Sequence, residues 1–123
     1  MNMILAIALG GALGSVLRHY SIAALPGDSF PYGTLFVNVL GSFLIGLLVE
    51  LGALKWQVPL EVRAFLVTGI LGGFTTFSAF SLDIFKLIDT HHSPTAAVYV
   101  AASVGLSILA VFGGAWVVRG MVG

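Results

Sequence analysis

The chain has 123 residues, of which 59% are hydrophobic and 8% are charged. A soluble domain carries about 25% charged residues, so this composition indicates a membrane protein. Five Lys and Arg residues balance five Asp and Glu residues, which leaves no basic surface for binding nucleic acid. A sequence without cysteine also excludes disulfides, iron–sulfur clusters and thiolate zinc sites.

Four stretches free of Asp, Glu, Lys and Arg approach or exceed the roughly 20 residues of a membrane span. They run Met1 to Leu17, Ser29 to Val49, Ala64 to Leu82 and Thr90 to Val118. The sequence therefore predicts an all-α membrane protein with four transmembrane helices in a single domain, residues 1–123. The expected location is the cell inner (plasma) membrane, which the chain crosses several times in contact with lipid.

Proline, glycine and capping residues predict where these helices begin and end. The first helix is expected to continue past Arg18, whose long stem can carry its charge to the membrane interface, and to run towards Leu25. The other predicted boundaries are a stop at Pro26-Gly27-Asp28, a second helix from Pro31-Tyr32-Gly33 to Glu50, a third from Pro59, and a fourth from Ser93-Pro94 with Ser93 as N-cap.

Four spans place both ends of the chain on one side of the membrane. Lys55, Arg63 and Arg119 lie on that side, whereas Arg18 and Lys86 lie on the other. The positive-inside rule depends on an excess of Lys and Arg, and a difference of one does not fix an orientation. Two interpretations stay open: insertion in both orientations, or one orientation set by a weak bias.

Asn38 lies in the middle of the second predicted helix. It shares a face with Thr34, Gly41 and Ser42, which stand at i−4, i+3 and i+4. An amide at this depth must find hydrogen-bond partners. It either serves a polar pathway or joins helices, and an interhelical hydrogen bond of this kind contributes about 0.6 to 2 kcal/mol.

The third span contains Gly72-Gly73 followed by Thr75-Thr76, which predicts a helix break at mid-span. Backbone carbonyls freed there are suitable ligands for Na⁺. The alternative is tight packing through Gly69 and Gly73. Phe77 and Phe80 follow the break on one face, where their positive ring edges either attract an anion or simply pack.

Hydroxyl groups at Tyr99, Ser103 and Ser107 repeat every four residues along the fourth helix. They form either a hydrated track or single bonds back to their own helix. The adjacent His91 and His92 are a poor basis for a metal site, because neighbouring residues do not share one face. The sequence offers no catalytic triad or paired carboxylates at depth, so we do not expect an enzyme.

Residues 33–43 and 72–80, with Gly10-Gly11 through Arg18 upstream, closely resemble the Fluc (CrcB) family of fluoride ion channels. The resemblance covers essentially the whole chain, and its most specific part is the run of residues 75–80 after the paired glycines. It implies an antiparallel, dual-topology homodimer with two pores. The implied function is passive export of toxic fluoride from the cytoplasm.

The resemblance also implies roles for individual residues. These are hydrogen-bond donation to fluoride by Asn38, ring-edge contacts from Phe77 and Phe80, a polar track of Tyr99, Ser103 and Ser107, a vestibule position for Arg18, and a structural Na⁺ held by the backbone carbonyls of Gly72 and Thr75 from both subunits. Two positions depart from the family pattern: Ala79 replaces a common Thr, and Val111 interrupts the hydroxyl ladder.

Two other functions fit a four-helix membrane protein of this length. A small dual-topology multidrug exporter needs a carboxylate deep in its first helix, but residues 1–17 contain none and Glu50 lies near a helix end. A non-transporting assembly subunit would use Asn38 and the glycines only to join helices. Ion flux through the purified chain alone would exclude that last possibility.

Overall fold

The computed structural model describes residues 2–27, 29–55 and 57–122. Within these ranges every regular element is helical. The elements are α1 (Met3–Ala24), α2 (Tyr32–Leu54), α3 (Leu60–Arg63), a π-helix (Ala64–Leu71), α4 (Gly72–Phe74), α5 (Phe77–Asp89) and α6 (Ser93–Val122). The elements from α3 to α5 together form the third span, Leu60–Asp89, so four segments are long and apolar enough to cross a membrane. The predicted all-α, four-span architecture is confirmed.

The ends of α1 and α2 follow from local hydrogen bonds and charge. The Asn2 side chain caps α1 by accepting from the Ile4 N–H at 2.7 Å. The helix ends at Ala24, one residue before Leu25, whereas Asp28 of the predicted stop lies outside the described residues. The prediction that α2 ends by Glu50 is wrong, because α2 continues to Leu54. Glu50 is tolerated inside the helix because it pairs with Arg119 at 3.1 Å.

A tight turn joins α5 to α6. Thr90 is the C-cap of α5, and His91 follows with φ 63°, in the left-handed region. The His91 N–H donates to the Ile88 carbonyl at 3.1 Å, and the His92 N–H donates to the Leu87 carbonyl at 2.7 Å. This pair of bonds is a Schellman motif. The turn takes only two residues, His91 and His92, so α6 already begins at Ser93. Ser93 is therefore the first helical residue, whereas the sequence predicted it as the N-cap that precedes the helix.

The third span is broken at Thr75-Thr76, as predicted. Thr75 has φ −86° and ψ 155°, and Thr76 has φ −153° and ψ 119°, so both are extended. The Thr75 N–H and hydroxyl both donate to the Leu71 carbonyl at 3.0 Å, which closes the first half. The Thr76 hydroxyl caps the second half by accepting from the Ala79 N–H at 3.1 Å. The two threonines, and not the preceding glycines, therefore make the break.

Glycines bring the helices into backbone contact, so the packing interpretation of the third span is also correct. A Cβ at Gly14 of α1 would collide with the Ile70 carbonyl, and one at Gly73 would lie 2.6 Å from the Gly11 carbonyl. A Cβ at Gly46 of α2 would likewise collide with the α6 backbone at Val111. Small residues let membrane helices approach this closely, so α1 packs on the π-helix and α2 packs on α6.

Candidate functional site

A cleft of about 310 Å³ lies beside the helix break. Its wall combines residues from α2, the break itself, α5 and α6. Predicted pore residues that are far apart in sequence meet there: Asn38, Phe77, Phe80, Ser103 and Ser107, together with Thr75 of the predicted cation site. The cleft offers amide and hydroxyl groups within an apolar frame, and no Asp, Glu, Lys or Arg side chain lines it.

Asn38 holds one edge of the break through two hydrogen bonds. Its Nδ2 donates to the Thr76 carbonyl at 3.1 Å, and its Oδ1 accepts from the Thr76 N–H at 2.8 Å. The side-chain amide thus joins two membrane segments. An Asn amide nitrogen carries two hydrogens, so a second N–H remains for a ligand in the cleft. The two interpretations of Asn38 are therefore compatible.

The break also redirects the N–H groups that would complete the helical hydrogen-bond ladder. A continuous helix would direct the Thr76 N–H at the Gly72 carbonyl, but here that N–H donates to Asn38. In the same way the Ala79 N–H, which would bond to the Thr75 carbonyl, donates to the Thr76 hydroxyl. The carbonyls of Gly72 and Thr75 are consequently released from their helical partners. These are the two carbonyls predicted to bind a cation.

Arg18 makes a contact that was not predicted from the sequence. Its Nη1 donates to the Gly73 carbonyl at 2.8 Å, across 55 positions of sequence. The guanidinium is thus bonded to the carbonyl end of α4, beside the break. No helical periodicity in α1 identifies this partner, because the contact depends on how α1 packs on the third span.

The two phenylalanines occupy different environments. Their ring centroids lie 5.5 Å apart with an interplanar angle of 52°. Phe80 is buried, at 7% exposure, and its ring also lies 5.2 Å from that of Tyr99. Phe77 is 77% exposed, so its ring stands at the open side of the cleft. The cleft is therefore open on the side of Phe77.

The hydroxyl ladder of α6 divides into two parts. Ser103 and Ser107 line the cleft, and the buried Ser103 Oγ has no hydrogen-bond partner among the described residues. Tyr99 is fully buried, and its hydroxyl donates to Asp83 Oδ2 at 3.0 Å. The sequence analysis does not predict this role for Asp83, because the uncharged stretch of the third span ends one residue earlier, at Leu82. The helix in fact continues past it to Asp89.

Side chains do not provide a metal site in the described part of the chain. No three His, Asp or Glu residues come together there. His92 Nδ1 instead lies 3.0 Å from the Thr90 hydroxyl in the turn between α5 and α6. A hard cation near the break would therefore depend on backbone oxygens.

Comparison with known proteins identifies relatives over the full length. A family model described as "CrcB-like protein, Camphor Resistance (CrcB)" matches residues 5–115. The chain is 53% identical to a "Fluoride-specific ion channel FluC" from Rhizobium meliloti, with 99% of this chain and all of the relative covered. It is also 50% identical to "Fluoride-specific ion channel FluC 1" from Nitrobacter hamburgensis, with 96% of each chain covered.

Proposed function

The chain belongs to the CrcB family, and from this membership we propose that it is a fluoride-selective ion channel. It is a multi-pass protein of the plasma membrane, with four helical spans. Its function is ion conduction and not catalysis. Conduction is passive, and its direction is out of the cytoplasm when fluoride accumulates there.

The observation that carries this proposal is the set of uncharged donors at the cleft. Fluoride is small and strongly hydrated, so a pore must replace its water with close hydrogen-bond donors. Asn38 keeps one free N–H, and the buried Ser103 hydroxyl lacks a partner among the described residues. An unmet hydroxyl at membrane depth is costly unless a ligand or water satisfies it. Both groups attract an anion without binding it as tightly as a full positive charge would.

In the proposed mechanism, fluoride moves between weak sites along the cleft. Asn38 donates an N–H, Ser103 and Ser107 donate hydroxyl protons, and the rings of Phe77 and Phe80 present positive edges. Weak, multiple contacts let an ion leave as readily as it binds. Tyr99 extends the polar path only when its hydroxyl turns from Asp83, since that hydroxyl has a single proton.

We propose further that the working unit is an antiparallel homodimer with two pores. Phe77 is largely exposed in one copy, and the cleft beside it is open. The Gly72 and Thr75 carbonyls have also lost their helical N–H partners. Lipid chains cannot satisfy carbonyls at this depth, so a second protein surface accounts for both features. The near balance of Lys and Arg across the membrane is compatible with opposite orientations.

The same carbonyls fit a structural Na⁺ at the dimer centre. A hard cation prefers oxygen ligands, and Gly72 and Thr75 of two subunits would supply four. The ion would supply positive charge that offsets the repulsion between the carbonyl oxygens of Gly72 and Thr75. Neither residue offers a carboxylate, so the site would hold a monovalent ion without adding negative charge to an anion pathway.

Anion efflux from liposomes containing only this chain tests the function. We expect rapid fluoride efflux and no measurable chloride efflux. A multidrug exporter would instead require a proton gradient and move organic cations, and α1 lacks the carboxylate such transport needs. An assembly subunit would conduct nothing alone. Equal permeation of chloride and fluoride would contradict the proposal.

A further inference from the structure

Arg18 contacts the broken helix at the Gly73 carbonyl, which lies between the released carbonyls of Gly72 and Thr75 in the sequence. Its Nη1 donates to the Gly73 oxygen at 2.8 Å, and the side chain is partly buried. In a continuous helix this carbonyl would accept from the Phe77 N–H. The extended residues 75–76 remove that partner, and the guanidinium of another helix replaces it.

The packing of α1 fixes the position of this guanidinium. A Cβ at Gly73 would lie 2.6 Å from the Gly11 oxygen and 3.1 Å from the Ser15 nitrogen. Gly11, Ser15 and Arg18 stand at i, i+4 and i+7, so they share one face of α1. Arg18 therefore lies on the same surface of α1 against which Gly73 packs. From there its side chain reaches the Gly73 carbonyl directly.

The charge of Arg18 also suits this location. The carbonyl end of a helix carries partial negative charge, and its last carbonyls need donors when they lie within a membrane. A charged donor forms a stronger hydrogen bond than a neutral one. Arg18 thus stabilises α4 from one side of the break, while Asn38 holds Thr76 on the other.

We infer that Arg18 is a positioning residue for the pore: by binding the Gly73 carbonyl it sets the geometry of the break, and through Thr76 it orients the Asn38 amide toward the cleft. This role goes beyond a vestibule charge that attracts anions, and it rests on the proposed function. Arg18 itself does not line the cleft.

The first test reads the break directly and does not depend on transport. In the detergent-solubilised protein with ¹⁵N-labelled threonine, NMR reports the Thr76 N–H that bonds to Asn38. In Arg18→Gln we expect the Thr76 amide hydrogen to exchange with solvent roughly tenfold faster or more. The reason is that the break loses a hydrogen bond from a charged donor, which is stronger than one from a neutral donor. Arg18→Lys keeps one charged donor and should give an intermediate rate, which covers the case in which Arg18→Gln does not fold. Thr90, which lies in the turn after α5, is the internal control.

The second test separates positioning from simple charge. Fluoride efflux is measured in low and in high potassium gluconate, with Lys86→Gln as the matched loss of one exposed positive charge. A loss caused by missing anion attraction shrinks at high salt, because screening weakens long-range fields. We expect Arg18→Gln to reduce fluoride flux about tenfold at both salt concentrations, which corresponds to the loss of one charged hydrogen bond. Lys86→Gln should retain its flux.

Unchanged Thr76 exchange in both Arg18 variants would overturn the inference, as would a flux loss that high salt abolishes. If the parent protein conducts no fluoride, the proposed function fails. The exchange measurement would still decide whether Arg18 sets the break.

Discussion

Asn38 and Thr76 are joined by a pair of hydrogen bonds in which a side-chain amide takes the place of a peptide group. The Thr76 N–H and carbonyl both bond to Asn38, at 2.8 and 3.1 Å. The pairing leaves the Gly72 carbonyl without its helical donor and gives Asn38 a fixed orientation. One residue therefore couples the shape of the third span to the donors at the cleft.

Asn38→Asp should nearly abolish fluoride flux. An ionised Asp cannot donate, so its oxygen would face the Thr76 carbonyl and its charge would repel the anion. We expect flux per dimer to fall more than about tenfold, because a donor is lost and a charge is added. The matched change Gln57→Glu, at an exposed loop residue, should leave flux intact. Fluoride efflux is measured together with the elution of each variant in size-exclusion chromatography. If the variant loses the dimer but shows normal flux per remaining dimer, Asn38 serves only to join helices.

Phe77→Ile and Phe80→Ile should both impair flux, but with different effects on stability. Both remove a positive ring edge. Phe80 is buried against Tyr99, so its replacement should also lower the free energy of unfolding by about 1 kcal/mol. Phe77 is exposed within one copy, so its replacement should affect the fold of that copy less. Phe85→Ile, an exposed ring on the same helix, is the control. Parent-level fluoride flux in both variants would rule out a role for the ring edges.

Gly14→Ala should destabilise the protein by about 1 to 3 kcal/mol, because the added methyl collides with the Ile70 backbone. Gly11→Ala is the matched control three residues away. Its Cβ would meet only the Gly69 oxygen, at 4.0 Å, which is an ordinary contact. Thermal unfolding in detergent compares the two variants. Equal unfolding temperatures would contradict the close approach of α1 to the π-helix.

His91→Gly should stabilise the protein by roughly 0.5 to 1 kcal/mol, since His91 has φ 63° and a left-handed conformation is unfavourable for residues with a Cβ. His92→Gly should instead destabilise the protein, because His92 has no positive φ and glycine adds entropy to the unfolded chain. Chemical denaturation measures both. Destabilisation by His91→Gly would show that its side-chain contacts outweigh the backbone conformation.

Dual topology predicts that single cysteines at Ser29 and at Gln57 are each labelled from both sides of the membrane. Both positions are exposed and lie in loops at opposite ends of α2. A membrane-impermeant thiol reagent is applied to intact cells and to inverted vesicles. Labelling of each position from one side only would show a single orientation.

The four spans could be predicted because apolar stretches of this length have few alternatives. The break was also predictable, although the residues that cause it are Thr75 and Thr76, which follow the glycines. Gly72 and Gly73 remain helical, and the threonine hydroxyls replace helical partners. Five of the six predicted pore residues, at positions 38, 77, 80, 103 and 107, line one cleft, whereas Tyr99 does not. Their role as a pore stays a prediction.

The remaining features depend on tertiary placement. The bond from Arg18 to Gly73 requires the packing of α1 on the third span, and the bond from Tyr99 to Asp83 requires α5 to continue beyond a charged residue. The π-helix at Ala64–Leu71 likewise has no distinctive local pattern. Sequence periodicity describes one helix at a time and does not determine such partners.

The contact between α1 and the third span is made largely by backbone atoms at glycines, and this affects how the protein moves. Side chains can change rotamer within nanoseconds, but Gly10, Gly14, Gly69 and Gly73 have none to rotate. α1 and the first half of the third span should therefore behave as one rigid body. Among the described residues the cleft borders this body only at Thr75, so any change in the shape of the cleft should come from α2, α5 or α6.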